Sequence, residues 1–401
     1  MIELNNTDLK IINDIKEKEG SSKDYLDFLK SDVKTLTHRY HVYPAMMIPN
    51  LAKEFIETTL KYQSNIKNIY DPFMGSGTTL VEGIAHNLEA IGQDINPLSF
   101  FMTRAKTQSI NPNLLGIEIS NLKIRIQDSY QKIFYDGYEL DNAPNFKNID
   151  FWFKPEVIKK LQIIKNCIIS DNNIELRNFY LVAFSETVRY VSNSRNNEFK
   201  LYRLAEDKLA LWNPDVIKIF FDYLSRNEIA NNRLYNTLKD IGNSEPKVTI
   251  RQHDSSDVNK IFPDNSFDLL VTSPPYGDSS TTVAYGQFSR LSLQWLDLEI
   301  DENTALSKLD SIMLGGKVDK KVVIDSILDY LDSLTLKDLF KKINEKDEKR
   351  AKQVLQFFID LDSSLDNTAK LMKNDTYQYW VVANRTVKMI SVPTDIIIAE
   401  M

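Results

Sequence analysis

Two hydrophobic patterns alternate along this chain. Short segments at 65–70, 90–94, 248–252, 267–271 and 376–383 read as strands, and the mostly apolar run at 267–271 is what a strand buried on both faces of a parallel sheet requires. Segments with 3.6-residue periodicity read as helices at 49–62, 78–87 and 348–372, and Pro393–Met401 begins like another. Strand–helix alternation of this kind predicts an α/β fold. One long stretch, 105–246, breaks the alternation. It is mostly helical, with polar loops around Asp141–Asn148 and Asn193–Asn197, and reads as a large helical insertion between the second and third strands. The expected organisation is a helical extension over 1–36 with a break at Gly20-Ser21-Ser22, a first half of the sheet domain over 37–104, the insertion over 105–246, and a second half over 247–401. The charged helical stretch 321–347 reads as a solvated face.

The strand Phe267-Asp268-Leu269-Leu270-Val271 stops abruptly at Thr272-Ser273-Pro274-Pro275-Tyr276. Two prolines in succession cannot continue a ladder, and each pushes its predecessor toward extended geometry. A stiff ledge results, carrying a hydroxyl, several carbonyl acceptors with few competing N–H donors, and an aromatic face. Such a ledge suits a planar ring bearing an NH2 group. The loop that follows, 277–290, is rich in Gly, Ser and Thr and suited to movement.

A second motif lies upstream. After the first strand comes Asp71-Pro72-Phe73-Met74-Gly75-Ser76-Gly77-Thr78-Thr79, a glycine turn that opens a helix. Gly75 and Gly77 permit positive φ and close approach of backbone N–H groups to a ligand, and the helix turns its positive end the same way. The second strand ends in Asp94, about 20 residues beyond the turn, where ribose hydroxyls are gripped in sheets of this type. The turn lacks the Gly-Lys-Ser/Thr of a phosphate loop and the third glycine of a dinucleotide fingerprint.

Bulk numbers narrow the classes. The chain has 401 residues, 42% hydrophobic and 26% charged, as expected of a soluble globular protein. No stretch is long enough to cross a bilayer, and the first residues carry no signal-peptide pattern. The single cysteine, Cys167, excludes an internal disulfide and reads as a core thiol; no His pair has metal-ligand spacing. The net charge of −7 disfavours a protein coated in positive charge but allows a local basic cleft. One such candidate is Arg189-Tyr190-Val191-Ser192-Asn193-Ser194-Arg195-Asn196-Asn197-Glu198-Phe199-Lys200-Leu201-Tyr202-Arg203, where basic, amide and aromatic side chains interleave.

A nucleoside-like ligand at one strand end and an amino-bearing base at another are joined most economically by methyl transfer from S-adenosylmethionine to an exocyclic amine. At this point the sequence resembles the amino-group DNA methyltransferases of restriction–modification systems. The resemblance rests on Asp71–Thr79 followed by Thr272–Tyr276, with Tyr43-Pro44-Ala45 similar to the cofactor motif that precedes the turn. It covers 37–100 and 248–300, and more weakly 185–203 and 375–400. It implies a Rossmann-like sheet, S-adenosylmethionine as cofactor, double-stranded DNA as substrate with the target base flipped out, a cognate restriction endonuclease, and a cytoplasmic, nucleoid-associated protein. The Ser-Pro-Pro-Tyr form is typical of the cytosine-N4 branch; adenine-N6 enzymes more often carry Asp or Asn in place of Ser273.

Residue by residue, the resemblance implies that Ser273, Pro274, Pro275 and Tyr276 hold the base. Tyr43, Pro44, Ala45, Asp71, Phe73, Gly75, Ser76, Gly77, Thr78, Asp94 and Asp254 would hold the cofactor. Arg189, Ser192, Arg195, Lys200, Arg203 and Arg290 would meet DNA, and 105–246 would read the target site. Adenine-N6 or RNA methylation, and a non-catalytic DNA-binding subunit, are the competing expectations. The family's sheet ordinarily has seven strands ending in a hairpin, whereas five are read here; the C-terminal strands are missing. A second chain or protomer is therefore expected to cover the open edge.

Overall fold

The computed structural model describes residues 4–401 apart from 23, 24, 30, 141, 143, 197, 279, 280, 302, 303 and 320–322, and apart from the side chains of 258–260. The chain begins with α1 (Asn6–Ser21) and α2 (Pro49–Tyr62). Then follow β1 (Asn68–Asp71), α3 (Thr78–Ala85), β2 (Glu89–Asp94) and α4 (Pro97–Lys106). The helical stretch comprises α5 (Pro112–Phe134), α6 (Ile149–Trp152), α7 (Pro155–Ile169), α8 (Ile174–Val191), α9 (Glu206–Leu211) and α10 (Val216–Asp240). The alternation resumes with β3 (Val248–Gln252), β4 (Phe267–Thr272) and α11 (Tyr285–Leu296), and continues through α12 (Leu309–Ile312), α13 (Ile324–Tyr330), α14 (Leu334–Asn344) and α15 (Glu348–Leu371). Last come β5 (Met372–Trp380), β6 (Arg385–Val387), β7 (Ile390–Val392) and α16 (Thr394–Glu400).

Strands β1 to β5 form one parallel sheet in the order β3-β2-β1-β4-β5. This is the Rossmann-like arrangement expected, and the five strands fall within a few residues of their expected places. The chain runs outward from β1 to β3 and then returns to place β4 beside β1, Tyr70 opposite Leu270. That reversal is the switch point at which such sheets bind ligands, at the carboxyl ends of the strands. Every residue of β4 is buried, including Asp268, whose carboxylate accepts from Lys67 N, Asn68 N and Lys373 Nζ.

Local sequence explains the helix starts near this point. Asn96 caps α4 through Leu98 N at 3.0 Å, with Pro97 in the first helical position. Asn111 and Pro112 do the same for α5, and Asn173 caps α8.

Three expectations are corrected. The break expected at 20–22 falls at its last residue, Ser22, since Gly20 and Ser21 lie inside α1. Strand β5 begins four residues early, at Met372, through polar residues that do not read as strand; Asp375 has φ +58 beside a register shift against β4. A hairpin follows β5, but its strands β6 and β7 pair with each other and form a separate two-stranded sheet. Its loop residues, Lys388 and Met389, both take positive φ. A two-residue hairpin turn needs that geometry, and Gly or Asn normally signals it.

The helical stretch shares a core with the rest. Leu122, Leu161, Phe184 and Phe220 pack in one buried cluster with Tyr43 and Leu98 before them and Phe288 and Trp295 after them. Helix α1, whose role the sequence left open, is tied to α2 by Lys18–Glu54 and Lys61–Asp14 and to β5 by Tyr377 Oη donating to Asp8 at 2.6 Å. Among the described residues no helix is long and apolar enough to cross a membrane.

Candidate active site

The glycine turn is fixed from several directions. Gly75 and Gly77 have φ of +45 and +78, and Gly77 is the N-terminal cap of α3. A Cβ on Gly77 would lie 2.7 Å from Thr103 Oγ1, so this glycine answers both conformation and space. Gly77 N donates to Met74 O at 2.6 Å, Met74 N to Gln93 O at 3.0 Å, and Gly75 N to Asp94 Oδ2 at 2.9 Å. The other oxygen of Asp94 accepts from Asn96 N at 2.8 Å. Asp94 therefore braces the turn as well as lining the cavity beside it, and burial raises its pKa.

Asp71, at the end of β1, joins the two motifs. Its Oδ1 accepts from Phe73 N at 3.0 Å and from Thr272 Oγ1, at the end of β4, at 2.6 Å. Burial pushes this carboxyl up to about 6. A second tie runs from Thr79 Oγ1 to Val271 O at 2.9 Å. The turn and the ledge thus meet across adjacent strands. Asp71, Gly75 and Asp94 line one cavity of about 290 Å³ together with Ser273 and Pro275.

The segment before α2 supplies another wall. Tyr43 is buried, accepts from Asn96 Nδ2 at 3.0 Å, and sets its ring 5.6 Å from that of Tyr285. Pro44 and Ala45 line the cavity beside it, as do Phe73, Ser76, Thr78 and Asp254. Asp254 Oδ1 accepts from Ser256 N at 2.9 Å.

On the ledge, Ser273 Oγ donates to Val381 O at 3.0 Å and lies 3.2 Å from Tyr276 Oη. Ser273 and Pro275 line the cavity; Pro274 and Tyr276 stand outside its lining. Just beyond, Asp278 is fully buried and meets Arg385 Nη1 at 3.1 Å, while Arg350 lies 3.8 Å away. A Cβ on Gly277 would lie 2.2 Å from Arg385 Nη1, so a side chain there would displace the guanidinium that meets Asp278. Ser279 and Ser280 of the expected mobile loop lie outside the described residues.

Sequence reasoning missed part of the wall. Tyr285, the first residue of α11, lines the cavity, as do Met313, Leu314, Lys317 and Asp360. Asp360 Oδ2 accepts from Gly315 N at 2.7 Å and so hangs this turn from α15. The Gly315-Gly316 pair was the available signal: Gly315 has φ +66, and a Cβ on Gly316 would lie 2.5 Å from Asp310 O.

A family model described as DNA methylase matches residues 4–100. The chain is 54% identical over 398 residues to the Type II methyltransferase M.MvaI of Kocuria varians, covering 99% of this chain and 88% of that protein. It belongs to the amino-group DNA methyltransferases of restriction–modification systems. Weaker matches are the Type II methyltransferase M.MjaII of Methanocaldococcus jannaschii, 37% identical over 23% of this chain and 18% of that one, and M.BsoBI of Geobacillus stearothermophilus, 22% identical over 75% and 59%. No solved structure matches the chain.

Within this methyltransferase the residues expected to meet DNA separate into two groups. Arg189 and Ser192 are corrected to interior positions. Arg189 stacks 3.7 Å above the Phe288 ring and donates to Phe288 O at 3.2 Å and Glu198 O at 2.6 Å. Burial lowers its pKa to about 10. Ser192 is fully buried and donates to Arg189 O at 2.8 Å. Both sit where α8 ends against α11, so an amphipathic helix end was mistaken for surface.

Arg195 is exposed and paired with Glu198, and Arg203 stacks 4.4 Å from Phe151 while pairing with Glu206. Lys200 and Arg290 are half-buried and both act on Asp310, whose carboxylate accepts from Gly286 N and Gln287 N at the start of α11. Among the described residues no three His, Cys, Asp or Glu side chains gather as a metal site.

Proposed function

We propose that this enzyme transfers a methyl group from S-adenosylmethionine to the exocyclic N4 amine of cytosine in double-stranded DNA, with the target base flipped into the cavity between the glycine turn and the ledge. The residues present fit that cofactor. Gly75 and Ser76 bring the turn to the cavity wall while Gly77 stands behind it against Thr103, outside the lining, and two carboxylates, Asp94 and Asp254, offer acceptors for ribose hydroxyls and an adenine amine. Tyr43, Pro44, Ala45, Phe73, Ser76 and Thr78 would complete its pocket. When bound, the cofactor supplies a methyl group made electrophilic by its sulfonium.

The rest is the protein's work. An aromatic amine is a weak nucleophile because its lone pair is delocalised into the ring. The observation that carries the reading is the Ser273 hydroxyl: its proton is spent on Val381 O at 3.0 Å and one lone pair faces Tyr276 Oη at 3.2 Å, so a further lone pair is left to accept. Accepting from the amine there, and at the Pro274 carbonyl, favours a geometry in which the amine lone pair faces the methyl donor. Pro275 and Tyr285 wall the base site, with Tyr276 as the stacking face on the ledge. Arg195, Lys200, Arg203 and Arg290 would hold DNA phosphates, and residues 105–246 would select the site.

Digesting methylated DNA to nucleosides and weighing them tests the base. N4-methylcytosine is expected; N6-methyladenine would transfer the same mechanism to the adenine branch and overturn the cytosine assignment. In its cellular setting this modification would shield DNA from a cognate endonuclease. A second chain against the edge of β5 remains part of the reading, and a monodisperse, active monomer in solution scattering would remove it.

A further inference from the structure

Helix α4 presents Ser99, Thr103 and Lys106 at successive turns of one face, and all three are buried. Each meets the glycine turn. Ser99 Oγ donates to Gly75 O at 2.5 Å. The Gly77 backbone lies against Thr103 so closely that no side chain fits. Lys106 Nζ donates to Ser76 O at 3.0 Å.

Lys106 is the unusual member. It is 0% exposed, and among the described residues its ammonium donates to that one carbonyl. The neighbouring carboxylate, Glu186 of α8, is engaged by Arg226 of α10, which also donates to Tyr40 O. Burying an ammonium without a carboxylate is costly, and an apolar side chain of the same length would pack there more cheaply. Stability therefore does not explain the residue, whereas geometry does. A peptide group is planar, with its C=O and N–H pointing opposite ways. Gripping Gly75 O aims Ser76 N–H away from α4, and gripping Ser76 O aims Gly77 N–H, which closes the turn onto Met74 O at 2.6 Å.

We infer that Lys106, together with Ser99, is a positioning residue for the methyl donor: it holds the peptide planes of the glycine turn in their binding orientation from behind. This rests on the reading that the cavity takes S-adenosylmethionine.

The test uses the full chain and calorimetry with S-adenosylmethionine. Lys106→Met should raise the cofactor Kd and KM by about tenfold or more, the scale of a lost charge-assisted hydrogen bond. Its kcat at saturating cofactor should stay within about threefold, since no transition-state contact is removed. Lys106→Gln keeps an N–H donor and should recover part of the loss; Ser99→Ala should cost about threefold. The melting temperature of Lys106→Met should hold or rise while affinity falls, a combination that a merely structural role would not give.

A folded Lys106→Met with wild-type cofactor affinity overturns the inference. Equal losses of stability, DNA binding and cofactor binding in the Met and Gln variants also overturn it. Should Lys106→Met not fold, unchanged affinity in Ser99→Ala decides against it. A wild-type chain that binds no S-adenosylmethionine rejects the cofactor reading instead.

Discussion

The glycine turn and the double-proline ledge share one cavity, yet they are built in opposite ways. Around the turn four backbone groups are held from within the protein: Gly75 N on Asp94, Gly75 O on Ser99, Ser76 O on Lys106, Gly77 N on Met74. The ledge is anchored at its two ends, by Thr272 on Asp71 and by Asp278 on Arg385. Between them its prolines supply acceptors without donors. A surface that holds a constant ligand gains from being fully determined. A surface that must receive an amine gains from lone pairs that the protein itself has not used.

The sharpest way to break this comparison is Ser273→Ala. If the ledge serves the amine alone, kcat should fall by about 100-fold or more, the range for removing one such contact. The cofactor Kd should stay within about twofold, because Ser273 supplies no contact to the turn. Tritiated methyl transfer and calorimetry give the two numbers, and a parallel loss in both would mean the two walls are not independent. Gly77→Ala is the converse experiment on the rigid side. It forces a side chain to φ +78 and into Thr103. A loss of about 1–3 kcal/mol in urea unfolding is expected, with weaker cofactor binding and DNA affinity unchanged.

Much of this was legible beforehand, for identifiable reasons. The central strands β2, β1 and β4 are largely buried, and hydrophobicity is what burial on two faces selects; the edge strands β3 and β5 are only partly buried and of mixed polarity. The glycine turn and the ledge were legible because both depend on backbone properties peculiar to Gly and Pro. What the sequence hid is the wall built by tertiary contact. Tyr285 belongs to a helix whose first N–H groups are capped by Asp310, 24 residues ahead, and no local pattern announces that. The β6–β7 hairpin turns on Lys388 and Met389, neither of which signals positive φ. Arg189 was misplaced because an arginine in a basic, aromatic stretch looks the same whether it faces phosphate or Phe288.

That misplacement supplies a smaller contrast. Arg189→Ala should destabilise the fold by about 2–3 kcal/mol, since it strands the carbonyls of Phe288 and Glu198 in the interior. Lys200→Ala should leave the melting temperature alone and weaken DNA binding severalfold, reducing the slope of log affinity against log salt by about one. Fluorescence anisotropy across a salt series separates them; a Lys200 variant with an unchanged slope would remove that residue from the DNA face.

The smallest effect expected is also the most specific to the rigid side. Burial brings the Lys106 ammonium down to about 7. Glu186 favours its charge, Arg226 opposes it, and His41, itself lowered to about 3 by burial, is neutral and adds none. Below pH 7 the charged group grips Ser76 O; as pH rises to about 8.5 it becomes a neutral, weaker donor, and cofactor affinity should fall by about threefold. Stability moves the other way. The folded value of about 7 lies below the ordinary 10.5, so between them the unfolded chain binds more protons and this group's contribution to stability rises with pH. Lys106→Met should flatten both profiles. Affinity and stability that rise and fall together across this window, or a Met variant that keeps the wild-type profile, would assign the pH dependence to another group and leave the turn's rigidity to Asp94 and Ser99.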